Sequence, residues 1–561
     1  MIGTKEEHIR RLNTRYPIWE EKTIWEHFLD ACSEFPNNDF IVSDTEGSLT
    51  YRQTMTEVAK MAARLKKIGV TAGDHVALQV RNCTTQILVG LALAALRAVK
   101  VSVNAAMGPK ELSYVLSQSD ADYFITNQKI SWLTKPEKLK SVVLMPDGEC
   151  DEEIRCFRWE EFLHIAEDEE YMPPVPDGSA QEVSDIIYTS GSTSAPKGVM
   201  LTHDMLMRSA LASCYNRGFE EGRRIYVPLP MFHVYGYVEG MLAAILVGGA
   251  VLVKNGKFEP AGALDFMARA KANDILSVPS QMITIVNYLK DQPRDLKDLH
   301  AVYCSASVCP TWVWQAIRTY LKVNDVITGY GMSEVCGASM QTDPSDQNEI
   351  LMTRVGKLLP GGAAGLPELG GHQIEYRVVD RETSNDCAPN EDGELWCRGP
   401  VVTKGYYNKP EVNAKSFTED GWLKTGDCGH FDENGYLLLA GRIDDMYKIN
   451  GENVSPKFIE DVFGNCELIN TSAVLGVKDP LHGYVGIAFI ELKEDDAANR
   501  TAVEQYADVH LAKFQRPKYY VYLRPEEWPL TSTGKIQRFR LKERAAEYEK
   551  RAELEAQKKW V

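Results

Sequence analysis

Tyr188-Thr-Ser-Gly-Ser-Thr-Ser-Ala-Pro-Lys-Gly-Val199 gathers two glycines, a run of Ser and Thr hydroxyls and one lysine. Residues this small let a backbone approach an anionic ligand, with main-chain N–H groups turned inward and hydroxyls and an ammonium completing the cradle. A Ser/Gly-rich surface linker has a similar composition. The β-forming lead-in Asp185 to Thr189, the Pro-Lys-Gly exit and the helical pattern after Thr202-His203 argue for a phosphate loop instead. A Walker A loop needs glycine directly before its lysine, and Pro196 stands there, which argues against that class of nucleotide hydrolase.

Outward from this loop, short β-rich runs alternate with helical patterns, which predicts an α/β architecture. Met55, Val58, Ala62, Leu65 and Ile68 recur at helical spacing before Gly69. A strand-like run, Val76 to Val80, precedes a buried helix from Ile87. Further strands are expected at 142–144, 185–189, 224–227, 250–253 and 325–328. Met172 to Gly178 reads as a surface connection, and Pro360 to Gly371 as a loop between subdomains. The segment from Arg538 to Trp560 alternates Lys/Arg with Glu and reads as a solvated helix.

The chain has 561 residues, enough for three or four domain-sized units. Its charge, 62 basic less 79 acidic residues, is −17, which argues against nucleic-acid and basic membrane-surface binding and leaves a local nucleotide pocket open. The apolar stretches at 87–96 and 240–253 fall short of the roughly 20 residues a membrane span requires. The 12 cysteines show no CxxC pair or metal spacing. The first residues lack an apolar signal core and the last are not Ser-Lys-Leu, so the cytoplasm is the expected compartment.

Five more motifs follow in order: Pro230-Met-Phe-His-Val-Tyr-Gly236, Tyr330-Gly-Met-Ser-Glu334, Gly421-Trp-Leu-Lys-Thr-Gly-Asp427, Gly441-Arg-Ile-Asp-Asp-Met-Tyr-Lys-Ile-Asn-Gly451 and Pro529-Leu-Thr-Ser-Thr-Gly-Lys-Ile536. Together with the loop, they resemble the signature motifs of the adenylate-forming superfamily: acyl-CoA synthetases, aryl-CoA ligases, luciferase and peptide-synthetase adenylation domains. The resemblance runs from about Ile24 to Lys542. It implies a large α/β N-terminal domain of several sheet-and-helix subdomains, residues 1–441, and a small mobile α+β C-terminal domain, residues 442–561. It also implies ATP-dependent activation of a carboxylic acid as acyl-AMP with pyrophosphate release, then transfer to coenzyme A.

The resemblance assigns ATP or AMP contacts to Thr189, Ser190, Gly191, Ser192, Thr193, Lys197, Ser305, Tyr330, Gly331, Ser333, Asp427, Arg442 and Lys535. Lys535, His233 and Lys197 would be catalytic. Lys535 is suited to stabilise adenylation because an ammonium on a flexible loop reaches both the acid and the α-phosphate. Asp427 can accept hydrogen bonds from ribose hydroxyls, Arg442 can donate to ribose or phosphate, and Tyr330 would border the adenine. Glu334 is the expected Mg²⁺ ligand, since magnesium takes few carboxylates and shares phosphate oxygens. His233, Tyr235, Gly236 and Gly329 would line the substrate pocket, Asp444 would be the hinge, and Lys448 and Gly451 would face coenzyme A. No general base is needed, because the acid is already ionised near neutral pH.

The chain departs from the superfamily pattern at Ser194, where glycine is common, and at Cys304-Ser-Ala-Ser307, where many relatives have Gly-Gly-Ala-Pro. Residues 343–371 look longer and richer in glycine than usual, and Ser333 replaces threonine while keeping the hydroxyl. Apolar residues around 277–286 favour a hydrophobic acid, of medium- or long-chain fatty or aryl type. The main alternative acceptor is a carrier-protein phosphopantetheine. A luciferase-like oxygenase and a non-catalytic nucleotide sensor are weaker alternatives, the latter because Lys197, Glu334, Asp427, Arg442 and Lys535 occur together. The sequence leaves homodimerisation open.

Overall fold

The computed structural model describes residues 3–130, 136–146, 148–149, 154–166, 171–189, 196–307, 309–449, 452–531 and 535–559. Two seven-stranded sheets form the larger part. In chain segments, one runs 156–158, 141–144, 123–126, 75–79, 99–102, 183–189, 197–202, and is parallel except for its last pair. The other runs 325–327, 301–304, 274–277, 224–226, 250–253, 39–43, 47–50, again parallel except for the closing pair.

Side chains alternate across each strand, so each sheet feeds a core on both faces. Val76 and Leu78 point into the central core while Ala77 points into the outer one. Ile41 and Val42 divide in the same way. Helices Ile24–Glu34, Thr84–Ala95 and His203–Arg217 fill the space between the sheets. The layering is therefore helix, sheet, helix, sheet, helix. Thr84–Ala95 is apolar on nearly every face because it is enclosed on every face. The Tyr51–Lys67 helix stops where expected, before Gly69 at φ +109°.

A three-stranded sheet (329–332, 337–341, 357–358) and a four-stranded antiparallel sheet (375–379, 393–398, 423–431, 437–442) follow. The last unit has strands 447–449, 452–454, 469–479, 483–492 and 519–522, flanked by helices 456–464, 497–510 and 538–559. The molecule is thus α/β with a large N-terminal part and a small C-terminal one.

One expectation needs correction. The helix beginning at Arg538 is not simply solvated: Leu541 and Ala545 are buried with Leu475 and Val477 of the neighbouring strand. Arg538 also locks that helix in place, donating to Val474 O at 2.8 Å and to both Glu460 carboxylate oxygens. The long 343–371 segment contains the helix Asn348–Thr353, and its Ala364 carbonyl accepts from Arg208 Nη1 at 2.9 Å, pinning it to the central helix layer.

That layer holds a charged cluster. Arg217 and Arg223 reach Asp274 at 2.5 and 2.9 Å, and Arg217 lies 3.8 Å from Glu239, all four side chains essentially unexposed. Glu239 sits on a π-helical turn, Tyr237–Leu242, and also accepts from Ser213, Gln341 and the Ala338 amide. Burial pushes the Asp274 carboxyl up, but Arg217 and Arg223 together hold it below the usual aspartate value. Removing one partner strands a buried charge, so Arg217→Met is expected to cost about 3–5 kcal/mol. Equilibrium denaturation near neutral pH measures this. The Asp274 share of the stability is present above the ordinary aspartate pKa and is lost as pH falls through its depressed value, so the wild-type advantage should shrink in acid.

Candidate active site

A cleft of about 1710 Å³ opens between the large unit and the small one. The strand 183–189 enters it and the strand 197–202 leaves it, paired antiparallel with Thr189 opposite Lys197. Thr189 and Lys197 line the cleft. Ser190, Gly191, Ser192, Thr193 and Ser194 lie outside the described residues, as does Gly451. The strand then hands over to a helix capped by Thr202, whose hydroxyl accepts from Met205 N.

The opposite wall comes from the 329–332 strand and the turn after it. A β-carbon on Gly331 would lie 1.8 Å from the Gly337 carbonyl, so the two antiparallel strands close only because this residue has no side chain. Tyr330 just before it and Ser333 and Glu334 just after it line the cleft. The Ser305 hydroxyl donates to Gly329 O at 2.7 Å, tying the Cys304–Ser307 loop to this wall. His233 caps a helical turn of Val234, Tyr235 and Gly236, where a β-carbon on Gly236 would sit 2.8 Å from Leu229 O. Tyr235 lines the cleft with its hydroxyl turned away, donating to Tyr303 O and Ser277 O at 2.8 and 3.1 Å. Gly236 lies behind it and does not line the cleft.

Asp427 is the electrostatic focus. It is 6% exposed, and its two oxygens accept from Tyr330 Oη at 2.7 Å and Arg442 Nη1 at 2.9 Å. The pairing of Asp427 with Arg442 is also a backbone register, since strands 423–431 and 437–442 place them opposite each other. Tyr330 therefore does more than border a base: its phenol holds the carboxylate. Glu334 accepts from Tyr406 Oη at 2.8 Å, and Lys197 Nζ lies 4.9 Å from the centre of the same ring. Tyr406 was not singled out from the sequence, because an aromatic in a Gly-Tyr-Tyr loop carries no local signal of what it will face.

Lys535 enters from the small unit. Its segment is closed by Lys535 N donating to Thr531 Oγ1 at 2.9 Å and Thr531 N donating to Lys535 O at 2.7 Å. Its ammonium feels Asp427 and Glu334 as attractive neighbours and Arg442 as a repulsive one. Burial is the largest influence and pushes the ammonium below the ordinary lysine value, with Asp427 acting in the opposite sense. Burial, with the Lys535 charge adding to it, pushes the His233 imidazole down to about 3, so this ring is neutral at working pH. Asp444 lines the cleft and is exposed, whereas Lys448 is exposed on the strand 447–449 outside it. Among the described residues no group of three or more His, Cys, Asp or Glu could hold a metal alone. Glu334 fits a magnesium ion only as one carboxylate beside ligands brought by a polyphosphate.

This arrangement can gather anionic groups along one wall, place a cation over them and keep a neutral ring beside it. The chain belongs to the AMP-binding enzyme family: the family's sequence model matches residues 28–407, and that of the AMP-binding enzyme C-terminal domain matches 459–535. Among its relatives, YngI of Bacillus subtilis (strain 168), an acyl-CoA synthetase by its name, is 29% identical over 541 residues, covering 91% of this chain and 95% of that one. The mitochondrial medium-chain acyl-CoA ligase ACSF2 of Rattus norvegicus is 25% identical over 555 residues, covering 94% and 88%. The crystal structure of the anthranilate CoA ligase AuaEII in complex with anthranoyl-AMP shares the fold with a TM-score of 0.82 at 22% identity, over 93% of this chain and 97% of that one. No helix among the described residues is long and apolar enough to cross a membrane.

Any step that needs Lys535 charged should fail as pH rises through its lowered pKa. Asp427 raises that pKa, so Asp427→Asn is expected to move the alkaline limb of the activity profile to lower pH. The measurement is the pH dependence of kcat at saturating ATP for both proteins; an unmoved limb would contradict the coupling.

Proposed function

We propose that this protein is an AMP-forming acid–thiol ligase that activates a hydrophobic carboxylic acid and transfers the acyl group to coenzyme A. The observation that carries the reading is Lys535, held by the small unit yet placed among Asp427, Arg442 and Glu334 of the nucleotide wall. Medium-chain chemistry in the name of a relative that aligns over most of this chain supports the acid's class.

In the first half-reaction a carboxylate oxygen of the substrate bonds to the α-phosphorus of ATP, and the bond to pyrophosphate breaks. Two anions must meet, so cations and donors have to neutralise the pentavalent centre. Lys535 supplies charge to the carboxylate and α-phosphate oxygens. Lys197 and the 189–193 loop hold the polyphosphate, and Ser305, Gly331 and Ser333 line the nucleotide. Asp427, fixed by Tyr330 and Arg442, accepts from the ribose. Magnesium bound with ATP would spread the phosphate charge, and Glu334 is the residue to hold it. Neutral His233 shields the acyl–phosphate junction from water without adding charge, with Tyr235 and Gly329 shaping the pocket floor and Gly236 packed behind it. In the second half-reaction the thiol sulfur bonds to the acyl carbon and AMP leaves. We assign the division between domains 1–441 and 442–561 to this exchange, with Asp444 as pivot and Lys448 and Gly451 toward coenzyme A.

The test is pyrophosphate release with ATP and Mg²⁺ across a panel of carboxylic acids, with and without coenzyme A. Acid-dependent release that turns over faster with coenzyme A is expected. Release indifferent to coenzyme A would point to a carrier-protein thiol, and silence across the panel would overturn the ligase reading. Lys535→Ala should nearly abolish adenylation while thioester formation from pre-made acyl-AMP survives. Asp427→Ala should weaken ATP binding by about 1–3 kcal/mol, measured by calorimetry.

A further inference from the structure

The segment 403–407 is stitched to two walls of the cleft. Val199 and Tyr406 form an antiparallel bridge, Met200 N donates to Gly405 O at 3.1 Å, and Tyr407 N donates to Gly198 O at 2.8 Å. The segment therefore runs beside the strand that begins at Lys197. At its start, Thr403 N donates to the backbone oxygen of Glu334 at 2.8 Å. The Asn413 side-chain amide then grips the Tyr406 backbone, accepting from its N–H at 2.8 Å and donating to its carbonyl at 3.0 Å. Tyr406 itself is buried, so its ring has a fixed place.

That ring touches an anion and a cation. Its hydroxyl donates to Glu334 Oε1 at 2.8 Å, and the Lys197 ammonium lies 4.9 Å from its centre. All three residues line the cleft. A phenol holds a carboxylate differently from a guanidinium: it orients one oxygen and leaves the negative charge in place. Asp427, paired with Arg442 at 2.9 Å, is the neutralised case. Glu334 has only the phenol as a side-chain donor among the described residues, so it keeps its charge and its Oε2 for a dication. The ring face also gives Lys197 a resting place other than that carboxylate.

We propose that Tyr406 is a positioning residue for magnesium. Its hydroxyl orients the Glu334 carboxylate for the Mg²⁺ that accompanies a polyphosphate, and its ring keeps Lys197 from neutralising that carboxylate first. The inference rests on the ligase reading above, which brings ATP and magnesium to this wall. A partner that holds a metal-binding carboxylate sets metal affinity without touching the metal, and its loss costs about 10- to 100-fold. The two parts of the role are separable, because the hydroxyl serves Glu334 and the ring serves Lys197.

The experiment measures ATP binding by calorimetry over a range of Mg²⁺ concentrations, with the full chain and without acid or coenzyme A. Tyr406→Phe keeps the ring and removes the hydroxyl. It should raise the Mg²⁺ concentration that gives half the full effect about tenfold, and leave ATP affinity in EDTA unchanged. Tyr406→Leu removes both, and should add to the same Mg²⁺ shift an ATP affinity in EDTA weaker by about threefold. In a Glu334→Gln background Tyr406→Phe should shift nothing further, because the carboxylate it orients is gone. Circular dichroism checks that each variant is folded. An unmoved Mg²⁺ requirement in Tyr406→Phe, or an equal shift in the Glu334→Gln background, would overturn the proposal. No turnover is needed, so the two readings fail separately. A shifted Mg²⁺ requirement without acid-dependent pyrophosphate release would sink the ligase reading alone. Release with an unmoved requirement would sink the positioning role alone.

Discussion

Everything in the cleft is organised around one buried carboxylate. Asp427 has given up most of its hydration, and it keeps its place only because a phenol and a guanidinium satisfy its two oxygens. Those partners come from different elements, Tyr330 from the three-stranded sheet and Arg442 from the neighbouring antiparallel one. A single ion thereby fixes the spacing of two sheets and sets a negative potential into which the Lys535 ammonium can be drawn. Burial lowers the pKa of that ammonium, and Asp427 acts against the lowering.

The surrounding groups divide between those that carry charge and those kept from carrying it. Glu334 is bound by Tyr406 and Lys197 stacks on the same ring, so the anion and cation of that wall share a rigid aromatic spacer. His233 is held neutral by burial, with the Lys535 charge adding to it, so the cleft carries no second cation there. The buried cluster of Arg217, Arg223, Asp274 and Glu239 lies one layer behind and balances itself.

Much of this was legible in the chain. Alternation of short strands and helices gave the α/β class, and the Ile87 run was readable as a wholly buried helix because no polar face interrupts it. The order of motifs brought Thr189, Lys197, Glu334, Asp427, Arg442 and Lys535 into one cleft. What could not be read depends on contacts between distant segments. Tyr406 meets Glu334 across 72 residues, and no local pattern announces it. The charged C-terminal segment reads as solvated because Leu541 and Ala545, the buried residues among those described, are too few to show a stripe beside so many Lys, Arg and Glu.

The lock at Arg538 has a mechanical consequence. Three residues after Lys535 the chain is clamped to Glu460 and Val474, and Lys542 reaches back to Asp445 at 3.1 Å, next to the exposed Asp444. The lysine is therefore geared to its whole unit and cannot swing like an independent finger. Any motion large enough to withdraw it from the nucleotide must turn the 447–449 strand through the same arc. Clearing the cleft of its cation and bringing a different surface to face it become a single stroke.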